Sequence, residues 1–72
     1  MGRRKLIWSY KKKDIEFELS KYDKNTIETY RGSIKDKTNG DLKQIKEIVD
    51  QEESLLFYRL VALKIYKELG GK

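Results

Sequence analysis

Toward the end of the chain apolar side chains come so densely that they wrap a helix instead of striping it. Residues 54–69 (SLLFYRLVALKIYKEL) are strong helix formers and contain no glycine. Leu55, Leu56, Leu60, Leu63 and Ile65 or Tyr66 recur at helical spacing, and Phe57, Tyr58, Val61 and Ala62 fill much of the remaining circumference. A helix apolar on nearly all sides is packed by several neighbours, so this segment is expected at the centre of the fold. Gly70 and Gly71 follow it, and glycine just past the last periodic residue is a helix stop signal.

The preceding segment, 41–51 (DLKQIKEIVDQ), is a conventional amphipathic helix with Leu42, Ile45, Ile48 and Val49 on one face. Asn39–Gly40 makes a turn before it, and Asp41 is placed to cap it with Gln44 three residues on. Asp50 and Glu53 repeat that spacing, so a break is expected near residues 50–54. Further upstream, Asp23 precedes residues 24–37, in which Ile27, Tyr30 and Ile34 stand at i, i+3 and i+7. This too predicts a helix. Residues 6–22 fit two patterns. Ile15, Phe17 and Leu19 alternate as in a strand, which residues 6–10 would pair with across a turn at 11–14; Ile15, Leu19 and Tyr22 equally fit a helical stripe. Periodicity alone does not choose between an N-terminal β-hairpin and a helix.

At 72 residues the chain is one domain with a thin core. The absence of Cys and His removes disulfides, thiolate chemistry, the commonest general base and the commonest metal ligand. No carboxylate cluster has calcium-loop or two-metal spacing, so no metal and no cofactor are expected. An enzyme is the least favoured class, for want of a proton-transfer constellation. No apolar run reaches the ~20 residues of a membrane span, and no signal peptide is evident. The expected location is the cytoplasm, in association with nucleoid or viral DNA.

Charge is unevenly placed. Of 17 Lys and Arg, six (Arg3, Arg4, Lys5, Lys11, Lys12 and Lys13) lie in residues 1–13 with no acid, while the other 11 face all 12 Asp and Glu. The net +5 is therefore a basic N-terminal arm, 1–13, on a nearly neutral body, 14–72. Such an arm favours a polyanion, because each neutralised phosphate releases counterions. Its plain alternative is a solubilising tail.

Two segments carry a family resemblance. Residues 23–34 read Asp-Lys-Asn-Thr-Ile-Glu-Thr-Tyr-Arg-Gly-Ser-Ile, and residues 59–69 read Arg-Leu-Val-Ala-Leu-Lys-Ile-Tyr-Lys-Glu-Leu. In order and separation these resemble the N-terminal core-binding domain of tyrosine recombinases, the phage-integrase family, over residues 14–70. The family's T-I-x-x-Y element matches Thr26, Ile27 and Tyr30; Asp23 stands where Ser is usual. The resemblance implies an all-α, four-helix bundle with helices near 14–22, 24–37, 41–51 and 54–69. It also implies duplex DNA as partner, approached by the second helix through Lys24, Asn25, Thr26, Thr29 and Lys35, and by the fourth through Lys64 and Lys67. The family's catalytic residues, arginines with a His-x-x-Arg element and a nucleophilic Tyr, belong to a separate domain, so a binding module without chemistry is expected.

Several residues have plainer readings. Trp8 and Tyr10 stack on bases or, preferably, Trp8 anchors the N-terminal segment on the core. Asn25, Thr26 and Thr29 contact phosphate, or Asp23 and Thr26 only cap the helix. Tyr30 and Tyr66 are expected in the core, and Arg59 in an ion pair with Asp50, Glu52 or Glu53. Gly32 inside a helix calls for close approach by another helix or a DNA backbone. Two rival readings remain: a small α+β viral or plasmid regulator with the N-terminal hairpin, and a homodimerising interaction module built on the apolar C-terminal helix.

Overall fold

The computed structural model describes residues 6–71. A 3₁₀ turn, Ile7–Ser9, precedes four helices: α1, Lys12–Leu19; α2, Lys24–Thr38; α3, Leu42–Asp50; and α4, Leu56–Glu68. Helix accounts for 73% of the structure and no strand occurs among the described residues. The all-α bundle is the fold, and the hairpin is excluded.

The ambiguous segment resolves through its buried face. Ile15 and Leu19, four residues apart, are almost fully buried, while Phe17, the residue an alternating strand would bury with them, is 64% exposed. Asp14 supports the helix start by accepting from the Lys11 backbone N–H at 2.9 Å, which places a negative charge in the first turn. α1 thus begins inside the basic segment, two residues before the expected 14, and ends at Leu19. Tyr22, expected on its stripe, lies beyond it and stacks on Phe57 with ring centroids 4.1 Å apart.

Local chemistry sets most other boundaries. α2 ends where Asn39 takes the left-handed conformation (φ 52°) and its N–H donates to the Lys35 carbonyl at 2.7 Å. Gly40 continues the turn at φ 75°. Buried Thr38 donates to the Ile34 carbonyl and accepts the Gly40 N–H, so its hydroxyl is satisfied within the turn. Asp41 caps α3 by accepting from Lys43 N–H, and Gln44 reaches the same carboxylate. The expected break at 50–54 separates α3 from α4. α4 closes with Gly70 at φ 88° and a bond from Gly71 N–H to the Tyr66 carbonyl.

α4 packs against all three other helices and the 3₁₀ turn, as its all-round apolar surface requires. Leu60, Val61, Ala62, Leu63 and Ile65 are essentially inaccessible, and Ile34, Ile45 and Val49 complete the centre. The start of the helix differs from expectation. Leu55 and Leu56, assigned by spacing to the apolar stripe, are 69% and 46% exposed. Helical geometry begins only at Leu56, before α4 enters the bundle.

The basic N-terminal segment is also less detached than charge suggests. Ile7 is buried in the core. Trp8 meets Tyr66 edge-on at 5.3 Å, and its indole N–H donates to Asp50 Oδ1 at 2.6 Å. This is the anchoring reading of Trp8. Residues 7–10 are therefore bound to the bundle, and Lys12 and Lys13 are helical.

Candidate nucleic-acid interface

Helix rotation sorts the candidate cations. On α1, Ile15 and Leu19 face α4, which places Lys12 and Glu16 along the α1–α4 seam and turns Lys13 away. On α4, Lys64 and Lys67 are three residues apart and share a face. The result is an open groove lined by Lys12, Ile15 and Glu16 from α1 and by Lys64, Lys67 and Glu68 from α4. A second cleft continues from it, where Lys24 at the start of α2 joins Lys64, Glu16, Leu19, Ser20, Tyr22 and Ile27. Lys67 also borders a third, with Trp8, Lys46, Asp50, Tyr66 and Gly71. Lys12, Lys24 and Lys67 make no ion pair with any described residue and keep their charge available.

Two cations on this surface are held internally. Arg31 Nη1 lies 2.8 Å from Glu68 Oε1 and 3.1 Å from Oε2, and Lys64 Nζ lies 3.6 Å from Oε2. The surface thus collects Lys12, Lys24, Arg31, Lys64 and Lys67 around two acids, Glu16 and Glu68. Arg31 and Lys46 were not among the residues expected from sequence. Arg31 had a signal: it stands seven residues after Lys24 and four before Lys35, on the same flank of α2. Lys46 had none, since the neighbours beyond its own helix come from the 3₁₀ turn and from the end of α4 and the glycine after it.

The remaining candidates are dispersed. Arg3, Arg4 and Lys5 lie outside the described residues. Lys11 is the exposed residue preceding α1. Lys13 lines a separate cleft with Tyr10, Asp14, Phe17 and Glu18. Asn25 and Thr29 lie on the outer face of α2, where the Thr29 hydroxyl donates to the Asn25 carbonyl at 2.8 Å. Thr26 is half-buried on the flank opposite Lys35. The expected contacts on α2 therefore do not form one face. Asp23 precedes α2 with no side-chain capping bond. Lys35 is exposed one turn beyond Arg31 on α2 and lines none of these clefts.

Tyr30 and Tyr66 pack on the core, Tyr30 edge-on against Phe57 at 4.9 Å. Arg59 takes a different partner from the ion pair expected of it: its Nε–H donates to the Val49 carbonyl at 2.7 Å. The last carbonyls of a helix have no partner within it, and a guanidinium satisfies one here. Gly32 is exposed with nothing within 4 Å of where a Cβ would stand, so no neighbouring helix requires it. Among the described residues no acidic cluster could hold a metal ion, and no helix is long and apolar enough to cross a membrane. Comparison of the chain with protein-family models, with curated proteins and with solved structures found no match.

Proposed function

We propose that this domain binds duplex DNA along the α1–α4 groove, by contact with phosphates and with no catalysis of its own. The observation that carries the reading is the convergence of Lys12, Lys64 and Lys67 on one groove, with Lys24 beside it. Cations aligned along a groove match a line of phosphates, and contacts of this kind position a duplex without reading its bases. The basic residues at the N-terminus add to the same attraction. In this role the domain acts as a core-binding module of the integrase type, with α4 as its main DNA-facing helix, and works in association with nucleoid or viral DNA.

The test is a mobility-shift titration with duplex DNA, single-stranded DNA and RNA at several salt concentrations. Duplex affinity is expected to fall with salt at a log–log slope of several units, each phosphate contact contributing about 0.9. Absence of binding in dilute buffer, or affinity indifferent to salt, overturns the proposal. The exposure of Leu55, Leu56 and Phe17 favours a second reading, a module that pairs with another copy of itself. Sedimentation at rising protein concentration separates the two: a DNA-binding monomer stays at the mass of one chain, 8.6 kDa.

A further inference from the structure

Glu68 sits among the bases of this surface in the setting of a bound phosphate. One guanidinium nitrogen of Arg31, from α2, bridges both of its oxygens at 2.8 and 3.1 Å, and the Lys64 ammonium approaches at 3.6 Å. An anion held between a guanidinium and an ammonium from two helices is how proteins grip phosphoryl oxygens.

We propose that Glu68 is an internal stand-in for a backbone phosphate. It occupies a subsite formed by Arg31 and Lys64, and an incoming nucleic acid displaces it and takes Arg31 as a ligand. This rests on the DNA-binding reading and deepens it by assigning one phosphate subsite and its built-in competitor.

Three observations support the displacement. The side chains of Arg31, Lys64 and Glu68 are 22%, 28% and 40% exposed, so the subsite is open to a ligand. Ion pairs at this exposure are weakly held, and exchanging a carboxylate for a phosphate costs little. Glu68 is also the last residue of α4, where the helix dipole disfavours an acid, so it contributes nothing to the helix end. Its neighbour Lys67 and the facing Lys12 keep the subsite in line with the rest of the groove.

The test is a double-mutant cycle on the full chain, with duplex affinity measured against salt for Glu68→Gln, Arg31→Gln and both together. Glutamine keeps the size of each side chain, and circular dichroism checks that each variant folds. Glu68→Gln is expected to raise affinity at least roughly fivefold, in the range of ordinary coupling between competing contacts. It should also steepen the salt slope by up to about one unit, because no displaced carboxylate is left to take up a counter-cation. Arg31→Gln should change affinity less than about twofold when Glu68 is present and should remove the gain when it is absent. Glu16→Gln, which neutralises the other acid of the groove, serves as the control for general charge. An equal cost of Arg31→Gln in both backgrounds overturns the proposal, as does a Glu16→Gln gain with the same dependence on Arg31. Wild-type binding at low salt tests the DNA-binding reading separately: if wild type binds and the cycle is additive, only the stand-in fails. If neither wild type nor Glu68→Gln binds any nucleic acid, both fail.

Discussion

The sequence resemblance brings both α2 and α4 to DNA, yet the groove that α4 forms with α1 and the outer face of α2 are built differently. In the groove, cations from two helices face each other across a seam, and Lys12 and Lys67 have no acidic partner among the described residues. On the outer face of α2, Asn25, Gly32 and Thr29 are interspersed with Glu28 and Asp36, and the Thr29 hydroxyl is spent on its own helix. Polar residues gain a collective charge only when a second element brings more of the same sign beside them. Among the described residues α2 has such a partner, α4, along its inner flank, where Lys64 and Arg31 meet at Glu68, and none along its outer face.

The harshest way to break the comparison is to remove what holds both regions. Leu63→Ala deletes a fully buried side chain of α4 and should cost about 2–5 kcal/mol, read as a loss of thermal or denaturant stability. In a domain this small that is much of the total, so DNA binding should be lost together with helical signal. A milder break leaves the fold intact. Lys12→Gln, Lys64→Gln and Lys67→Gln together should lower duplex affinity by about tenfold or more at low salt and reduce the salt slope by about two to three units. Asn25→Ala with Thr29→Ala should change affinity less than about twofold on the same measure. A comparable loss from the two sets would remove the distinction between the faces.

The smallest effect is also the sharpest. Gly32→Ala introduces a methyl into open space on the outer face of α2 and should stabilise the domain by up to ~1 kcal/mol in denaturant unfolding. DNA affinity should stay unchanged. A loss of affinity in this variant, with stability gained, would mean that a DNA backbone approaches α2 at Gly32 after all.

The legible parts of the fold were those whose causes lie within a few residues. Asp41 and Gln44 together, Asn39–Gly40, and Gly70 each act within about one helical turn, and each ends or starts a helix where the pattern placed it. Spacing puts Leu55 and Leu56 on the apolar stripe although they are exposed, because it tells which residues share a face but not where along the helix the bundle begins. Half of the groove was legible: Lys64 and Lys67 share a face by their spacing alone, whereas nothing local showed that Lys12 stands opposite them and Lys13 does not. Arg59 departs from its expected ion pair for a related reason, since a carbonyl freed by the end of α3 is not visible among the charges of the sequence.

The sequence by itself determined the helical class of residues 24–69, the central place of α4, the lack of thiol and imidazole chemistry, and the basic bias of the N-terminus. These follow from composition and from periodicity, which act through contacts along one element. Tertiary structure decided the rest. It made residues 12–19 a helix by offering Ile15 and Leu19 the surface of α4. It joined Trp8 to Asp50 and Arg31 to Glu68 across 42 and 37 residues. The physical reason is rotational: a stripe of apolar residues says that a helix is buried on one side, but the flanking cations meet only once packing fixes how each helix is turned against the next.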